Sequence, residues 1–281
     1  MNKLELLCDI KNILGEGPYY DYRNGNISFI DIVGKKLFIL DKNKELKEVL
    51  FNEKIGAAIP IKDSNGFIVF GETKLFLYQN DEIIEYKDIS SIVSKDMRCN
   101  DAKADRKGRI WFSTMVDDGI SKPHGGLYTI IDDKIMCMQE TKLGNGLAWS
   151  KDNTKFYFND SIMHKVFIYD YDINTGHISN RKVLAEIDGI PDGMAIDDND
   201  NLFIAIWDGN RIEVRDSISG KILDIINIPT KLVTSCTFSG ENYDELIITT
   251  ASLSELDEYA GKVFKLKTNY KGLPESFVKI K

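Results

Sequence analysis

The stretch IPDGMAID (190–197) decides how this chain is read: Pro191 and Gly193 bracket Asp192, and an apolar run with strand character follows. The same layout recurs with anchors at Glu16 in GEGPYYD, Gly56 in GAAIPIKD, Asn100 in NDAKAD, Asn145 in NGLAWSKD, Asp192 in DGMAIDD and Ser235 in SCTFSG. Successive anchors lie 40, 44, 45, 47 and 43 residues apart. That is close to the period of four-stranded propeller blades.

The agreement continues inside each unit. Ten or eleven positions after the anchor comes an apolar β-forming run, at 27–30, 67–70, 110–112, 156–158, 202–206 and 246–249. Asn24-Gly25, Asn65-Gly66 and Gly108 precede three of them and suit tight turns. A third strand shares one appearance throughout: KLFIL (36–40), KLFLY (74–78), GLYTI (126–130), KVFIY (165–169), RIEVR (211–215) and KVFKL (262–266). Fourth strands such as 83–86 and 223–226 complete the first five units, and no stretch reads as a long amphipathic helix. The expected fold is therefore all-β, a six-bladed β-propeller formed as one domain over residues 1–281. For the sixth unit the sequence leaves two candidates for the fourth strand, Leu4 to Leu7 or Phe277 to Ile280. The N-terminal choice would clasp the ring shut.

Composition fits a globular chain: 43% hydrophobic and 28% charged residues, net charge −8. No Lys/Arg cluster stands out, so nucleic acid is not expected as a partner. No apolar run approaches the length of a membrane span, and the first twelve residues lack a signal-peptide core. Cys8, Cys99, Cys137 and Cys236 are scattered with no CxxC, which reads as free thiols in a reducing compartment, the cytoplasm. A chain that closes its own ring of sheets is expected to be a monomer.

In a propeller the first strand of each blade lines the central channel, so the six anchors should meet around one axis. Glu16 and Asp192 offer carboxylates there, and Asn100 and Asn145 offer amide oxygens. Two carboxylates in a narrow channel either share a proton or bind a cation. Neutral amide oxygens beside them favour a hard divalent ion, and no His or Cys anchor suggests a structural zinc site. Asp and Asn at strand starts also serve as plain turn formers, and that reading competes.

At these residues the sequence resembles the SMP-30/gluconolactonase/luciferin-regenerating enzyme family, the regucalcin-like proteins. The matching text is GEGPYYD (15–21), RCNDAKAD (98–105), NGLAWSKD (145–152), FNDS (158–161), TGHISNRK (175–182), IPDGMAID (190–197) and TSCTF (234–238), with GKVF (261–264) and KGLPESF (271–277) near the end. The resemblance implies a metal-dependent lactonase that takes a small sugar lactone. It implies that Glu16, Asn145 and Asp192 hold one divalent ion (calcium, zinc, magnesium or manganese) and that Asp192 is also the catalytic acid and base. It further implies that Arg98 and Asn100 contact the substrate, with Asp118 in VDDG (116–119) as a third contact. The chain departs from the family text at Ala102 and Ala148; neither departure removes an implied ligand, and both would alter the pocket wall and with it the choice of substrate.

The expected chemistry is hydrolysis of a cyclic ester, with the metal stabilising the developing oxyanion and Asp192 moving the proton. There is no G-x-S-x-G elbow to supply a nucleophilic serine. Two alternatives share the same sequence features: a non-catalytic calcium- or sugar-binding propeller, and a hydrolase of other esters or phosphotriesters. DYDINTG (170–176) echoes an EF-hand loop but has Thr175 in place of the required glycine, so a hairpin turn is expected. His124, His164 and His177 are dispersed, and the loop 117–126 is a candidate rim of the site.

Overall fold

The computed structural model describes residues 4–118, 123–253 and 257–280. Among these residues there is no helix, and the strands form six four-stranded antiparallel sheets. Strand β1 (Leu4–Cys8) comes first and is set apart from its neighbours in sequence. Blade one is β2 (Gly15–Asp21), β3 (Asn26–Asp31), β4 (Lys36–Leu40) and β5 (Leu46–Leu50). Blade two is β6 (Ala57–Pro60), β7 (Phe67–Phe70), β8 (Lys74–Gln79) and β9 (Glu82–Asp88). Blade three is β10 (Met97–Ala104), β11 (Ile110–Val116), β12 (Gly125–Ile131) and β13 (Lys134–Thr141). Blade four is β14 (Gly144–Trp149), β15 (Lys155–Asp160), β16 (Lys165–Asp172) and β17 (His177–Glu186). Blade five is β18 (Ile190–Ile196), β19 (Leu202–Trp207), β20 (Arg211–Arg215) and β21 (Ile222–Asn227). Blade six is β22 (Val233–Ser239), β23 (Glu245–Thr250) and β24 (Val263–Lys267), with β1 as its fourth strand. The arrangement is a six-bladed β-propeller, as the repeats require.

The N-terminal strand therefore closes the ring: Leu4 pairs with Leu266 and Leu6 with Phe264. Residues Phe277 to Ile280 do something else. Val278 bridges Ile61 of blade two, and Phe277 packs against the rings of Tyr19 and Tyr22. This C-terminal segment crosses the end of the channel where the first strands finish. There Lys103 Nζ donates to Glu275 Oε1 at 2.6 Å and to the Met194 carbonyl at 2.9 Å.

Burial follows strand order within a blade. β7 is buried at every position, whereas β9 is exposed at all but one. The inner strands are covered on both faces by neighbouring blades, which is why their sequences are near-continuous apolar runs rather than strict alternations. Aromatic side chains fill the wedge between blades three and four: the Trp111 ring lies 5.1 Å from that of Phe156 and 6.1 Å from that of Trp149. At the outer end of the first strands an Asp closes the turn. Asp105 Oδ1 accepts from the backbone of Lys107 and Arg109, and Asp197 Oδ1 from Asn199 and Asn201. These bonds explain the Asp tip of the repeat as an Asx turn. The 170–176 segment is a hairpin turn between β16 and β17, with the Asn174 N–H donating to Asp172 Oδ1 and Gly176 at φ 76°.

The blade-two anchor shows why no oxygen donor stands there. A Cβ on Gly56 would fall closer than 3.0 Å to the carbonyl oxygens of Cys99 and Asn100 in the next blade. Gly56→Ala is expected to destabilise the fold by about 2–3 kcal/mol, because two backbones would have to separate. Denaturant unfolding at constant m-value reads this out, and an unchanged midpoint would show that the blades are not so tightly apposed.

Cys8, Cys99, Cys137 and Cys236 form no disulfide. Among the described residues no helix is long and apolar enough to cross a membrane.

Candidate active site

Glu16, Asn100, Asn145 and Asp192 meet in one cleft through a shared irregularity. In β2 the register shifts between Glu16 and Tyr19, in β10 between Cys99 and Ala102, in β14 between Asn145 and Leu147, and in β18 between Pro191 and Met194. Each of these four first strands is thus bulged at or beside its anchor, whereas β6 pairs with β7 without a shift. A bulge lets a side chain leave the regular alternation and turn inward. Gly17 at φ 54° and Gly146 at φ 26° supply the left-handed conformations that two of these bulges need. Gly193 acts by its lack of a side chain: a Cβ there would collide with Ser235 of blade six. Asp192 is consequently held by Pro191 before it and by a close blade contact after it. The Asn159 Nδ2 also donates to the Asp192 carbonyl at 2.7 Å.

Glu16, Arg98, Asn100, Asn145 and Asp192 are each only 6–8% exposed and line one cleft. The carboxyl groups of Glu16 and Asp192 are hydrogen-bonded to each other. Burial raises both well above the usual carboxylate range. The Asp101 carboxyl raises Glu16 further, and Glu16 and Asp101 raise Asp192 further. Two like charges withdrawn from water cannot both remain ionised without a counter-charge. Arg98 supplies part of it and lowers both.

A chain of side-chain hydrogen bonds orients the amides. Arg98 can only donate, and its Nη1 reaches Asn100 Oδ1 at 2.8 Å. Asn100 must therefore turn its Nδ2 toward the Gly144 carbonyl at 2.9 Å and Asn145 Oδ1 at 3.1 Å. Asn145 in turn donates from Nδ2 to Ser161 Oγ at 3.0 Å, and Ser161 donates to the Pro191 carbonyl at 2.7 Å. The chain ends one residue from Asp192. It fixes Asn145 with its oxygen, not its nitrogen, available to the channel. Both amide hydrogens of Asn100 are engaged, which leaves the second lone pair of its Oδ1 as the group open to a ligand.

Arg98 is anchored by Asp117: its Nε donates to Asp117 Oδ1 at 3.0 Å, and Lys54 pairs with the other carboxylate oxygen. Burial lowers the Arg98 pKa, and Asp117 opposes that shift. Asp118 lines the same cleft, beside Asp117. Residues 119–122 of the candidate rim loop lie outside the described residues.

Four participants escaped the sequence reading. Asp101 follows an anchor and differs in no obvious way from a turn former, yet it is buried and its carboxyl is pushed upward by burial. Asp117 sits beside the residue singled out. Asp31 and Asp160, at the ends of second strands, accept backbone N–H groups from Ile13, Leu14 and Gly34, and from Lys142, Leu143 and Met163. They hold the segments that deliver Glu16 and Asn145. The recurrence of FID (29–31) and FND (158–160) was their available signal.

The model of the SMP-30/Gluconolactonase/LRE-like region matches residues 14–252. The chain belongs to the SMP-30/gluconolactonase/LRE-like family. Regucalcin of Danio rerio is 31% identical over 289 residues, covering 97% of each chain. YvrE of Bacillus subtilis (strain 168), a candidate sugar lactone lactonase, is 30% identical and covers 90% of this chain and 89% of its own. Among solved structures a luciferin-regenerating enzyme superposes with a TM-score of 0.93 at 31% identity, covering 100% of both chains.

Proposed function

We propose that this protein is a metal-dependent lactonase that holds one divalent ion on Glu16, Asn145 and Asp192 and hydrolyses a sugar lactone. The observation that carries the reading is the buried Glu16–Asp192 carboxyl pair at the channel mouth, hydrogen-bonded within itself and beside an oriented amide oxygen. The family and the lactonase name borne by the Bacillus subtilis relative support it.

The donor set fits such an ion. Two carboxylates balance one divalent cation, and Asn145 Oδ1 adds a neutral ligand. Among the described residues no three His, Cys, Asp or Glu side chains form a metal-binding group, and Asn145 lines the same cleft as the carboxyl pair with an amide oxygen to offer. An all-oxygen set suits calcium, magnesium or manganese and admits zinc. Three protein ligands leave coordination positions open, as catalytic sites require.

When bound, the ion supplies Lewis acidity toward the ester carbonyl and acidifies a neighbouring water. Asp192 accepts the proton from the attacking water. As the ring C–O bond breaks, the same carboxyl returns a proton to the departing oxygen. Arg98, buried and braced by Asp117, and Asn100 through its Oδ1 hold the substrate in register. Asp118 is a further contact on the cleft wall. No side chain forms a bond to the substrate in this scheme.

The test is metal removal and return. The protein is stripped with chelator, given calcium, magnesium, manganese or zinc singly, and assayed on aldonolactones by proton release. Stripping is expected to lower turnover by about 100-fold or more and at least one ion to restore it. Absence of any metal binding would favour the reading of the anchors as turn formers. Metal binding without turnover would favour the non-catalytic calcium- or sugar-binding propeller.

A further inference from the structure

Lys103 stands on β10 in blade three, and its Nζ donates at 2.9 Å to the carbonyl of Met194 on β18 in blade five. Blade four lies between those two in the ring, so the bond reaches past a blade rather than joining neighbours. Its acceptor closes the bulge of β18, whose register shifts between Pro191 and Met194 with Asp192 inside. A bulge disrupts the ladder locally and bends the strand. A bond made at its end therefore fixes how far β18 turns.

The ammonium has a second partner. Glu275 Oε1 accepts from Lys103 Nζ at 2.6 Å, and both side chains are largely buried. Glu275 belongs to the C-terminal segment that crosses this end of the channel, and its neighbours in sequence are themselves tied down. The Pro274 carbonyl accepts from Arg106 Nη1 at 2.9 Å, and the Ser276 carbonyl from the Tyr19 hydroxyl at 2.5 Å. A buried ammonium that bonds a carbonyl and a carboxylate at once has little freedom to move. Met194 is thus fixed from blade three and from the C-terminal segment, two positions from the carboxyl that moves the proton.

We infer, on the footing of the lactonase reading, that Lys103 is a positioning residue for Asp192, with Glu275 as the brace that holds its ammonium on the Met194 carbonyl. Lys103 acts through the backbone of β18. Without its bond the bulge relaxes, and Asp192 drifts from Glu16 and from the attacking water. The sign of the effect separates positioning from charge. Removing a cation near three acidic side chains would by itself tighten the hold on a divalent ion. Removing a positioning bond loosens it.

The test uses the full chain and whichever of calcium, magnesium, manganese or zinc restores turnover. Calorimetry reads the affinity for that ion, and proton release reads turnover of glucono-δ-lactone in saturating metal. Lys103→Met keeps the aliphatic stem and removes the donor. It is expected to weaken metal binding about tenfold. It should also lower kcat about tenfold with KM held within about twofold. Tyr169→Phe is the control: it removes another bond between blades, from the Tyr169 hydroxyl to Gln139 Oε1, and should lower the melting temperature alone. Unchanged or tighter metal binding with unchanged kcat in Lys103→Met, or equal losses in Tyr169→Phe, overturns the inference and leaves the lactonase reading intact. Should Lys103→Met fail to fold, the isosteric Glu275→Gln decides: a kcat about threefold lower supports the inference, and an unchanged kcat overturns it. No metal binding and no turnover in the parent protein sinks the lactonase reading, and the inference falls with it.

Discussion

Asp192→Asn is expected to lower turnover by about 10³-fold while the propeller stays folded. The substitution is isosteric, and the backbone contacts that hold position 192, Asn159 Nδ2 on its carbonyl and the Ser235 side chain beside Gly193, do not involve the side chain. What disappears is the proton acceptor and one of the two charges that balance a divalent ion. The remaining amide oxygen keeps a weaker ligand in place, so calorimetry should find metal affinity reduced and turnover reduced further. A second readout separates this from unfolding. In the metal-free protein Asp192 and Glu16 oppose each other's ionisation, so removing one should raise the melting temperature at pH 8, not lower it. Full activity in the variant would remove Asp192 from the mechanism.

The second large effect is a pH-dependent stabilisation by metal. Glu16 and Asp192 have folded-state pKa values raised above those of an unfolded carboxyl, Glu16 to about 8. For an acid, a raised folded pKa means that the native state holds protons which the unfolded state has already released. Stability of the metal-free protein should then fall as pH rises from the ordinary carboxylate range, about 4, toward 8. The loss is complete above the folded pKa. A divalent ion replaces the shared proton and removes this penalty, so its binding releases protons. At one fixed concentration, 100 times the Kd at pH 8, it should add about 2.7 kcal/mol at that pH, or about 5 °C in melting temperature. The gain at pH 8 should be clearly larger than the gain at pH 5. Calorimetric melts with and without the ion at both pH values decide this. Equal shifts would mean that the ion binds away from the carboxyl pair.

Much of the architecture was legible because its causes are local. A strand buried on both faces must be apolar along its length, as in Phe67–Phe70, and a tight turn must carry Asn or Gly, as at Asn24-Gly25. Such constraints repeat once per blade, and the repeat length counts the blades. The ring closure was not legible in this way. Leu4–Cys8 and Phe277–Ile280 are equally short and apolar, and the choice between them depended on which lay beside Val263–Lys267 in space.

The site divides along the same line. The sequence by itself determined the six-fold repeat and which anchors can offer oxygen, because both follow from residue type and spacing. The tertiary structure alone decided how those oxygens are aimed: Asn145 by Asn100, which lies 45 positions away, and Arg98 by Asp117, which lies 19 away. It also decided that Asp101 adds its charge to the Glu16–Asp192 pair and that Trp207 and Leu143 wall the cleft. The physical reason is distance. Turn and strand preferences act over a few bonds and are written in neighbouring residues. Desolvation, charge repulsion and hydrogen-bond direction act between atoms that meet only after the ring has closed.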